Sequence, residues 1–153
     1  MLLVVDKKGQ LLYNPPIMKL STRGRYAVSA MFDLASNCED VPISAAMISK
    51  SQQIPLSYLE QILLKLKKGG LVKTTKGPAG GYKLAKLPNR ISIGDIIKAA
   101  DGPIILADCF PHGSRCPRSG SCSTKSLWAS LSNKVAKVFD STSLADLCKE
   151  KKR

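Results

Sequence analysis

The stretch from residue 57 to residue 84 reads SYLEQILLKLKKGGLVKTTKGPAGGYKL and carries the strongest structural signals of the chain. Its first half carries leucine and isoleucine at helical spacing. Ser57 followed by Glu60 is the pattern of a capping box, so the spacing predicts a helix from Ser57 to about Lys68. Its second half holds two short runs of strand formers around a glycine-rich tip, which predicts a β-hairpin. A helix followed by a basic, glycine-tipped hairpin is typical of the end of a winged helix.

Two other helical segments precede this stretch. Apolar spacing predicts a first helix over residues 22–37, with a basic start that includes Arg25. Ser44 is the predicted cap of a second helix over residues 45–51. Helix, turn, helix and basic hairpin occur in the order of a winged helix-turn-helix. In that architecture the third helix enters the major groove of DNA and the wing reaches the minor groove.

The predicted third helix has a polar side opposite its leucines. That side and its flanks carry Ser57, Glu60, Gln61, Lys65 and Lys68. A face of this kind is a candidate for reading base edges, and a merely solvated face is the alternative. The glycine-rich tip is a poor candidate for a nucleotide site, because the lysine and Ser/Thr of a P-loop are absent.

The charge of the chain favours a polyanionic partner. Its 153 residues include 24 Lys and Arg against 11 Asp and Glu, a formal net charge of +13. An RNA-binding protein is the alternative from another class, but aromatic residues make up only 5% and no RNA-module signature is present. With one histidine and no nucleophile, base and orienting group at a recognisable spacing, the chain is not expected to be an enzyme.

The hydropathy of the chain indicates its cellular location, and its first residues predict a leader segment. No run approaches the roughly 18 apolar residues of a membrane span, so we expect a cytoplasmic protein without a membrane partner. Glycine, asparagine and a proline pair predict that residues 1–17 form an irregular leader. Met1 and Met18 are both candidate starts.

A fourth helix should close the DNA-binding unit, which we place at residues 18–102. Ser92 and Asp95 form a second capping-box pattern, and this helix should end near Asp101-Gly102. We therefore expect a mainly α winged helix-turn-helix domain with a small β-hairpin wing, followed by a further helix that makes a dimer.

That dimerisation helix is predicted within residues 124–153, ahead of a last short helix from Leu144 to Glu150. Its apolar stripe consists of Leu127, Trp128, Leu131, Val135, Val138 and Phe139. The stripe is wide enough to pair with its symmetry mate, and a two-fold homodimer suits a pseudo-palindromic site on double-stranded DNA. Packing within the chain is the alternative.

Three of the five cysteines crowd into residues 103–123. Because a cytosolic location disfavours disulfides, these three indicate metal or redox chemistry. Cys38 and Cys148 stand apart and are predicted to be packed thiols.

Several motifs together resemble a known family. LSTRGRYAV at 20–28, SYLEQ at 57–61, GPAGGY at 77–82 and the cysteine loop followed by Leu127-Trp128 closely resemble IscR-type iron–sulfur cluster transcription regulators. The resemblance covers residues 18–149. It implies a homodimeric bacterial repressor or activator of cluster-assembly genes that is sensitive to iron or oxidants. Related members sense nitric oxide or iron, or respond to cysteine supply.

The resemblance also implies which residues contact DNA. By the resemblance, the expected contacts on the third helix and the wing are Ser57, Tyr58, Glu60, Gln61, Lys76 and Gly77. Arg25, at the basic start of the first helix, and Lys65, on the polar side of the third, are further expected contacts. The chemistry agrees, because glutamine pairs with adenine, glutamate accepts from cytosine, and lysine favours phosphates.

By the same resemblance, Cys109, Cys116 and Cys122 hold an iron–sulfur cluster, with [2Fe-2S] expected and [4Fe-4S] the alternative. Family members usually carry a histidine three residues after the last cysteine, and here Lys125 stands there, which leaves the fourth ligand open. His112 would complete a Cys₃His zinc site with the same cysteines, and unmetallated redox thiols are the third alternative.

Overall fold

The computed structural model describes residues 4–5, 11–12, 20–37, 41–107, 117–118 and 120–150. The helices are α1 (Thr22–Ser36), α2 (Ala45–Gln52), α3 (Leu56–Lys68), α4 (Ile93–Asp101), α5 (Lys125–Ser141) and α6 (Leu144–Glu150), with a 3₁₀ turn at Pro88–Arg90. The strands are β1 (Val4–Val5), β2 (Leu11–Leu12), β3 (Val72–Thr75) and β4 (Gly81–Leu84). The predicted mainly α winged helix with a small hairpin is confirmed.

Serine caps open four of the helices, including α6, where the Ser143 hydroxyl accepts from the Asp146 amide at 3.2 Å. The Ser21 hydroxyl accepts from the Gly24 amide at 2.9 Å, and Ser44 accepts from Met47 at 3.2 Å. At α4, Ser92 and Asp95 form the predicted capping box. These side chains satisfy amides that have no partner within the helix, so helix starts predicted from local sequence are correct here.

The predicted cap of α3 is wrong. The helix begins at Leu56, Pro55 occupies the N-cap position, and no side chain caps it. The Pro55 carbonyl accepts from the amides of Tyr58 at 3.1 Å and Leu59 at 2.9 Å. Proline fixes its own backbone near the value needed to enter a helix, and this moves the start ahead of Ser57. Ser57 and Glu60 are both exposed.

One hydrophobic core joins the helices from both halves of the chain. Its fully buried large side chains are Met31, Ile48, Ile54, Leu59, Ile62, Leu63, Leu66, Ile91, Ile96 and Leu144. The Ile93 amide donates to the Thr142 carbonyl at 2.9 Å, and the Leu144 amide donates to the Ile91 carbonyl at 2.8 Å. The segment between α5 and α6 is thus tied to the start of α4.

The predicted wing is confirmed as an antiparallel hairpin in which Val72 pairs with Leu84 and Thr75 pairs with Gly81. Ile43 and Tyr82 exchange two backbone hydrogen bonds of 2.9 and 2.8 Å, so the base of the wing is fixed to the segment before α2. A side chain on Gly81 would come within 2.5 Å of the Ile43 carbonyl oxygen. Only glycine permits this approach.

The leader is not wholly irregular as predicted. Val4 pairs with Leu12 and Val5 with Leu11 in an antiparallel ladder. Val4 and Val5 are strand-forming residues, but the strand signal is only two residues long on each side. The candidate start Met18 lies outside the described residues.

The long helix α5 packs against α4 along one side. Lys98 Nζ lies 2.7 and 2.8 Å from the two carboxylate oxygens of Asp140. A side chain on Gly94 would overlap the same carboxylate, so the two helices approach closely at this point. Phe139 packs against the core, whereas Val138 is exposed.

Within the described part of the chain, no helix combines the length and apolar character needed to cross a membrane.

Candidate nucleic-acid interface and cysteine segment

Helix α3 buries one side and exposes the other. Leu59, Ile62, Leu63 and Leu66 form its buried side. The predicted base-reading residues Ser57, Glu60 and Gln61 are exposed, as is Lys68 near the end of the helix. The structure therefore brings these predicted readers onto one open face of the helix.

Tyr58 lies at the edge of that face and is half-buried. Its ring meets the ring of Tyr26 edge to face, with centroids 6.0 Å apart and planes at 76°. Such aromatic pairs contribute to stability beyond the area they bury. Tyr58 thus braces the start of α3 against α1, a role that sequence reasoning missed because the partner is 32 positions away.

The structure gives Lys65 a partner inside the protein. Its Nζ donates to the Ala100 carbonyl at 2.9 Å, near the end of α4. Two residues further along, Lys67 Nζ donates to the Thr74 hydroxyl of β3 at 3.0 Å. These two lysines join α3 to α4 and to the wing, and Lys65 is exposed while its ammonium is held on the Ala100 carbonyl.

The start of α1 meets the end of α4 at Asp101. The Ser21 hydroxyl donates to the Asp101 carboxylate, and Arg23 lies 3.8 Å from it. The predicted contact residue Arg25 is exposed nearby, with its guanidinium 3.3 Å from the Thr22 hydroxyl. Arg25 is therefore available at the surface, whereas Arg23 pairs with the acidic residue.

Lys76 and Gly77 stand exposed at the turn of the wing. Gly77 has a φ of +110°, a conformation that side chains rarely adopt, and its carbonyl accepts from the Gly80 amide at 2.9 Å. The glycines thus build a tight tip and leave the Lys76 ammonium in solvent. A cation held on a narrow projection is suited to a phosphate or a minor groove.

Sequence reasoning missed one residue of the open face. Leu64 follows Gln61 by three positions and precedes Lys68 by four, so it lies between them on the helix surface. Its side chain is 52% exposed. The available signal was the helical angle of this leucine, which differs from that of the four buried apolar residues.

Cys122 is the one predicted ligand that the structure describes; Cys109, Cys116 and His112 lie outside the described residues. Its Sγ is 3.4 Å from the Thr124 hydroxyl oxygen. Hydrogen bonds from Thr124 lower the pKa of the Cys122 thiol from its ordinary value, with a smaller effect from Arg118. Because iron–sulfur clusters bind thiolates, this environment fits the ligand role.

Both ends of the cysteine segment are held on α5. Before the segment, the Leu106 amide donates to the hydroxyl of Ser132, which is buried. After it, the Cys122 carbonyl accepts from the Lys125 amide at 3.3 Å, where α5 begins. A change within this segment would therefore act first on α5.

Two short helices, a third helix with an open polar face and a basic hairpin define a winged helix-turn-helix protein. Residues 20–150 match the model of the Rrf2 family, described as iron-dependent transcriptional regulators. The chain belongs to the Rrf2 family. This result confirms the family resemblance drawn from the motifs.

Similar proteins carry regulator names. The HTH-type transcriptional regulator IscR of Aliivibrio salmonicida is 43% identical over 131 residues, covering 85% of this chain and 77% of the relative. IscR of Escherichia coli O1:K1 / APEC is 41% identical over 130 residues, covering 85% and 80%.

Solved structures agree. IscR of T. potens superposes with a TM-score of 0.70 at 38% identity, covering 87% of this chain and 88% of that one. CymR (YrzC), the global cysteine regulator of B. subtilis, gives 0.71 at 34% identity, covering 88% and 98%. The chain is thus a DNA-binding transcription regulator, and its relatives confirm that it is not an enzyme.

Proposed function

We propose that this regulator binds a pseudo-palindromic operator as a homodimer and senses iron–sulfur cluster, iron or redox status through Cys109, Cys116 and Cys122. The genes under its control would be those of cluster assembly or stress response, and it would act in the cytoplasm. The observation that carries the proposal is the open polar face of α3 beside a basic wing, on a chain whose cysteine segment is anchored to α5.

The DNA-reading part rests on exposed groups of suitable chemistry. Gln61 would pair with an adenine, Glu60 would accept from a cytosine, and Ser57 would contact a base or phosphate at the start of α3. Arg25, Lys76 and Gly77 would contact the backbone or the minor groove. Tyr58 and Lys65 serve this surface by holding α3 in place against Tyr26 and Ala100.

Glu60 would also exclude sequences, because its carboxylate repels base edges rich in acceptors. Glu60→Ala should therefore broaden the set of DNA sequences selected from a random pool. Since no side chain caps α3, the substitution should change stability by less than about 0.5 kcal/mol. An identical selected motif for variant and parent would remove Glu60 from the reading surface.

The sensing part rests on the cysteine segment. Three thiolates are the ligands that a cluster requires, and the lowered pKa of Cys122 favours that form. When bound, a cluster would supply iron chemistry that responds to oxidants and to iron availability. We propose [2Fe-2S], with [4Fe-4S] as the alternative nuclearity. The fourth ligand would come from His112, Asp108, a partner subunit or a small molecule, because Lys125 stands where the family carries histidine.

Cluster content tests this assignment. The parent, purified without oxygen, should absorb in the visible range and contain iron and sulfide, whereas zinc or free thiols would leave it colourless. Cys109→Ala, Cys116→Ala and Cys122→Ala should each lose the cluster, and Cys148→Ala, in α6, is the matched control that should keep it. Full cluster retention after removal of any of the three would contradict the ligand set.

Two further variants locate the fourth ligand. Loss of the cluster in His112→Ala would assign that histidine. Slower decay of the cluster in air for Lys125→His would indicate that a histidine at this position holds iron more tightly.

Gel shifts of the protein with and without its cluster, on duplex DNA and on structured RNA, then test which nucleic acid it binds and whether the cluster changes its affinity. Equal affinity for both polymers would contradict a DNA regulator.

A further inference from the structure

Leu64 is a large apolar side chain on the surface that we propose faces DNA. It is 52% exposed, and the polar residues Gln61 and Lys68 lie one turn before and after it on the same side of α3. The buried side of α3 is formed by other apolar residues, Leu59, Ile62, Leu63 and Leu66, so Leu64 is not needed to fill the core. Its apolar surface becomes covered only when a ligand approaches this face.

The chemistry of the major groove restricts what could cover it. Base edges there present donors and acceptors, and the apolar group they offer is the 5-methyl of thymine. A leucine placed against donors or acceptors would desolvate them without replacing their hydrogen bonds, which is unfavourable. A leucine at this position therefore favours sequences with a thymine beneath it.

The helix geometry places that thymine near the base that Gln61 reads. Three residues of α-helix advance about 4.5 Å along the axis. Successive base pairs are about 3.4 Å apart. Leu64 would thus lie over the base pair next to the one that Gln61 contacts.

We propose that Leu64 is a specificity-determining residue that contacts the methyl group of a thymine one base-pair step from the base read by Gln61. The inference rests on the proposed role of α3 as the recognition helix. A polar residue at position 64 would not confer this preference for thymine.

Uracil in place of thymine tests the contact, because the exchange removes the methyl group and leaves the pairing unchanged. We would select a site for the parent protein from a random duplex pool and then replace each thymine in turn. One replacement should weaken binding of the parent about fourfold, the loss expected for one buried methyl group. Leu64→Ala should bind the original duplex about fourfold more weakly and show no further loss with uracil at that position.

Two variants serve as controls. Leu87→Ala removes a leucine that is 64% exposed but lies outside α3, and it should keep the affinity and the uracil penalty of the parent. Gln61→Ala should change the preferred base at the neighbouring position and keep the uracil penalty. Thermal melting of all variants should match the parent, since the three side chains are exposed.

The possible failures are distinguishable. A full uracil penalty in Leu64→Ala, with an altered motif in Gln61→Ala, would overturn the role of Leu64 alone. If uracil in place of thymine never weakens binding of the parent, the proposed role of Leu64 is also overturned. If Gln61→Ala, Glu60→Ala and Leu64→Ala all select the motif of the parent, α3 is not the recognition helix and the inference falls with it.

Discussion

Lys65 and Lys76 carry the same charge in different surroundings. The ammonium of Lys65 donates to the Ala100 carbonyl, whereas Lys76 lies exposed on the wing beside Gly77. Lys65 is also exposed, but its ammonium must break that hydrogen bond before it reaches a phosphate. The distinction between a phosphate contact and a positioning contact therefore depends on a residue 35 positions away.

Lys76→Ala should weaken binding to all DNA sequences and reduce the slope of log affinity against log salt by about one unit, because one counterion-releasing contact is lost. Affinities measured over a series of salt concentrations check this. Lys137→Ala, which removes an exposed charge on α5, is the matched control and should leave the slope unchanged. An unchanged slope for Lys76→Ala would show that the wing lysine does not contact phosphate.

Some helix boundaries of this chain can be predicted from neighbouring residues, and others cannot. The boundaries of α6 and the capping box of α4 follow from neighbouring residues, and both were predicted from sequence. The start of α3 was not, because Pro55 supplies a backbone acceptor that the Ser57 pattern conceals. A capping pattern in the sequence predicts the start of a helix correctly only where no residue further upstream already begins that helix.

In the candidate site, too, some features follow from the local sequence and others depend on contacts between distant residues. The exposure of Ser57, Glu60 and Gln61 follows from the period of α3, since the leucines that oppose them must be buried. The contacts of Tyr58 with Tyr26 and of Lys65 with Ala100 join residues far apart in sequence, and no pattern within one helix encodes them. The sequence thus predicts the reading surface but not the residues that hold it in place.

The packing of α4 on α5 gives a prediction about Gly94. Alanine normally stabilises a helix relative to glycine by about 0.5–1 kcal/mol. Here the added methyl would overlap the Asp140 carboxylate and lie 3.1 Å from the Asp140 backbone nitrogen, displacing the partner of Lys98. Overpacking costs about 1–3 kcal/mol, so Gly94→Ala should lower the free energy of unfolding by about 1 kcal/mol.

Chemical denaturation of both proteins measures this difference. Gly120→Ala is the matched control, because a methyl group there meets nothing within 4 Å. Its free energy of unfolding should change by less than about 0.5 kcal/mol. Equal or greater stability of Gly94→Ala would mean that α4 and α5 separate freely at this contact.

The start of α6 gives a prediction about acid. Hydrogen bonds from Ser143 lower the pKa of Asp146, with a smaller effect from Lys149. A lowered folded-state pKa means that the stabilisation is complete above the unfolded value of about 3.9 and is lost as the pH falls through the folded value. Asp146→Asn should therefore lose less stability than the parent as the pH is lowered through that window.

Denaturation midpoints measured from neutral to acidic pH test the difference. Lys149→Gln is the matched control and should retain most of the pH dependence, because Ser143 is the larger cause. If parent and Asp146→Asn show parallel profiles, the carboxylate does not contribute its capping bonds in solution.

For the whole molecule, a continuous set of contacts joins the cysteine segment to the DNA-reading surface. The segment is anchored at Ser132 on α5, and Asp140 of the same helix pairs with Lys98 of α4. The end of α4 in turn contacts α3 through Lys65. Under the proposed sensing role, a shift of α5 would reach α3 through α4, and this set of contacts would link the cysteine segment to DNA affinity.

The exposed side of α5 is where we expect two copies of the chain to form a homodimer. At about 100° per residue, the five apolar positions of the stripe other than Phe139 fall within an arc of about 100°. In the single chain, Leu127 is 50%, Trp128 38% and Val138 65% exposed. An apolar patch of this kind marks an association surface, and two copies would cover each other's stripe about a two-fold axis.

Val138→Glu places a charge in that stripe at a position that is open in the single chain, so it should leave folding unchanged and yield monomers. Sedimentation at micromolar concentration should show a dimer for the parent and a monomer for the variant. Monomers should also lose cooperative binding to the two half-sites of the operator, because each would engage one half-site independently. Ser130→Glu adds the same charge to an exposed position of α5 outside the stripe, and it should remain dimeric and cooperative. A parent protein that sediments as a monomer, or a Val138→Glu variant that still dimerises, would assign the stripe to another role.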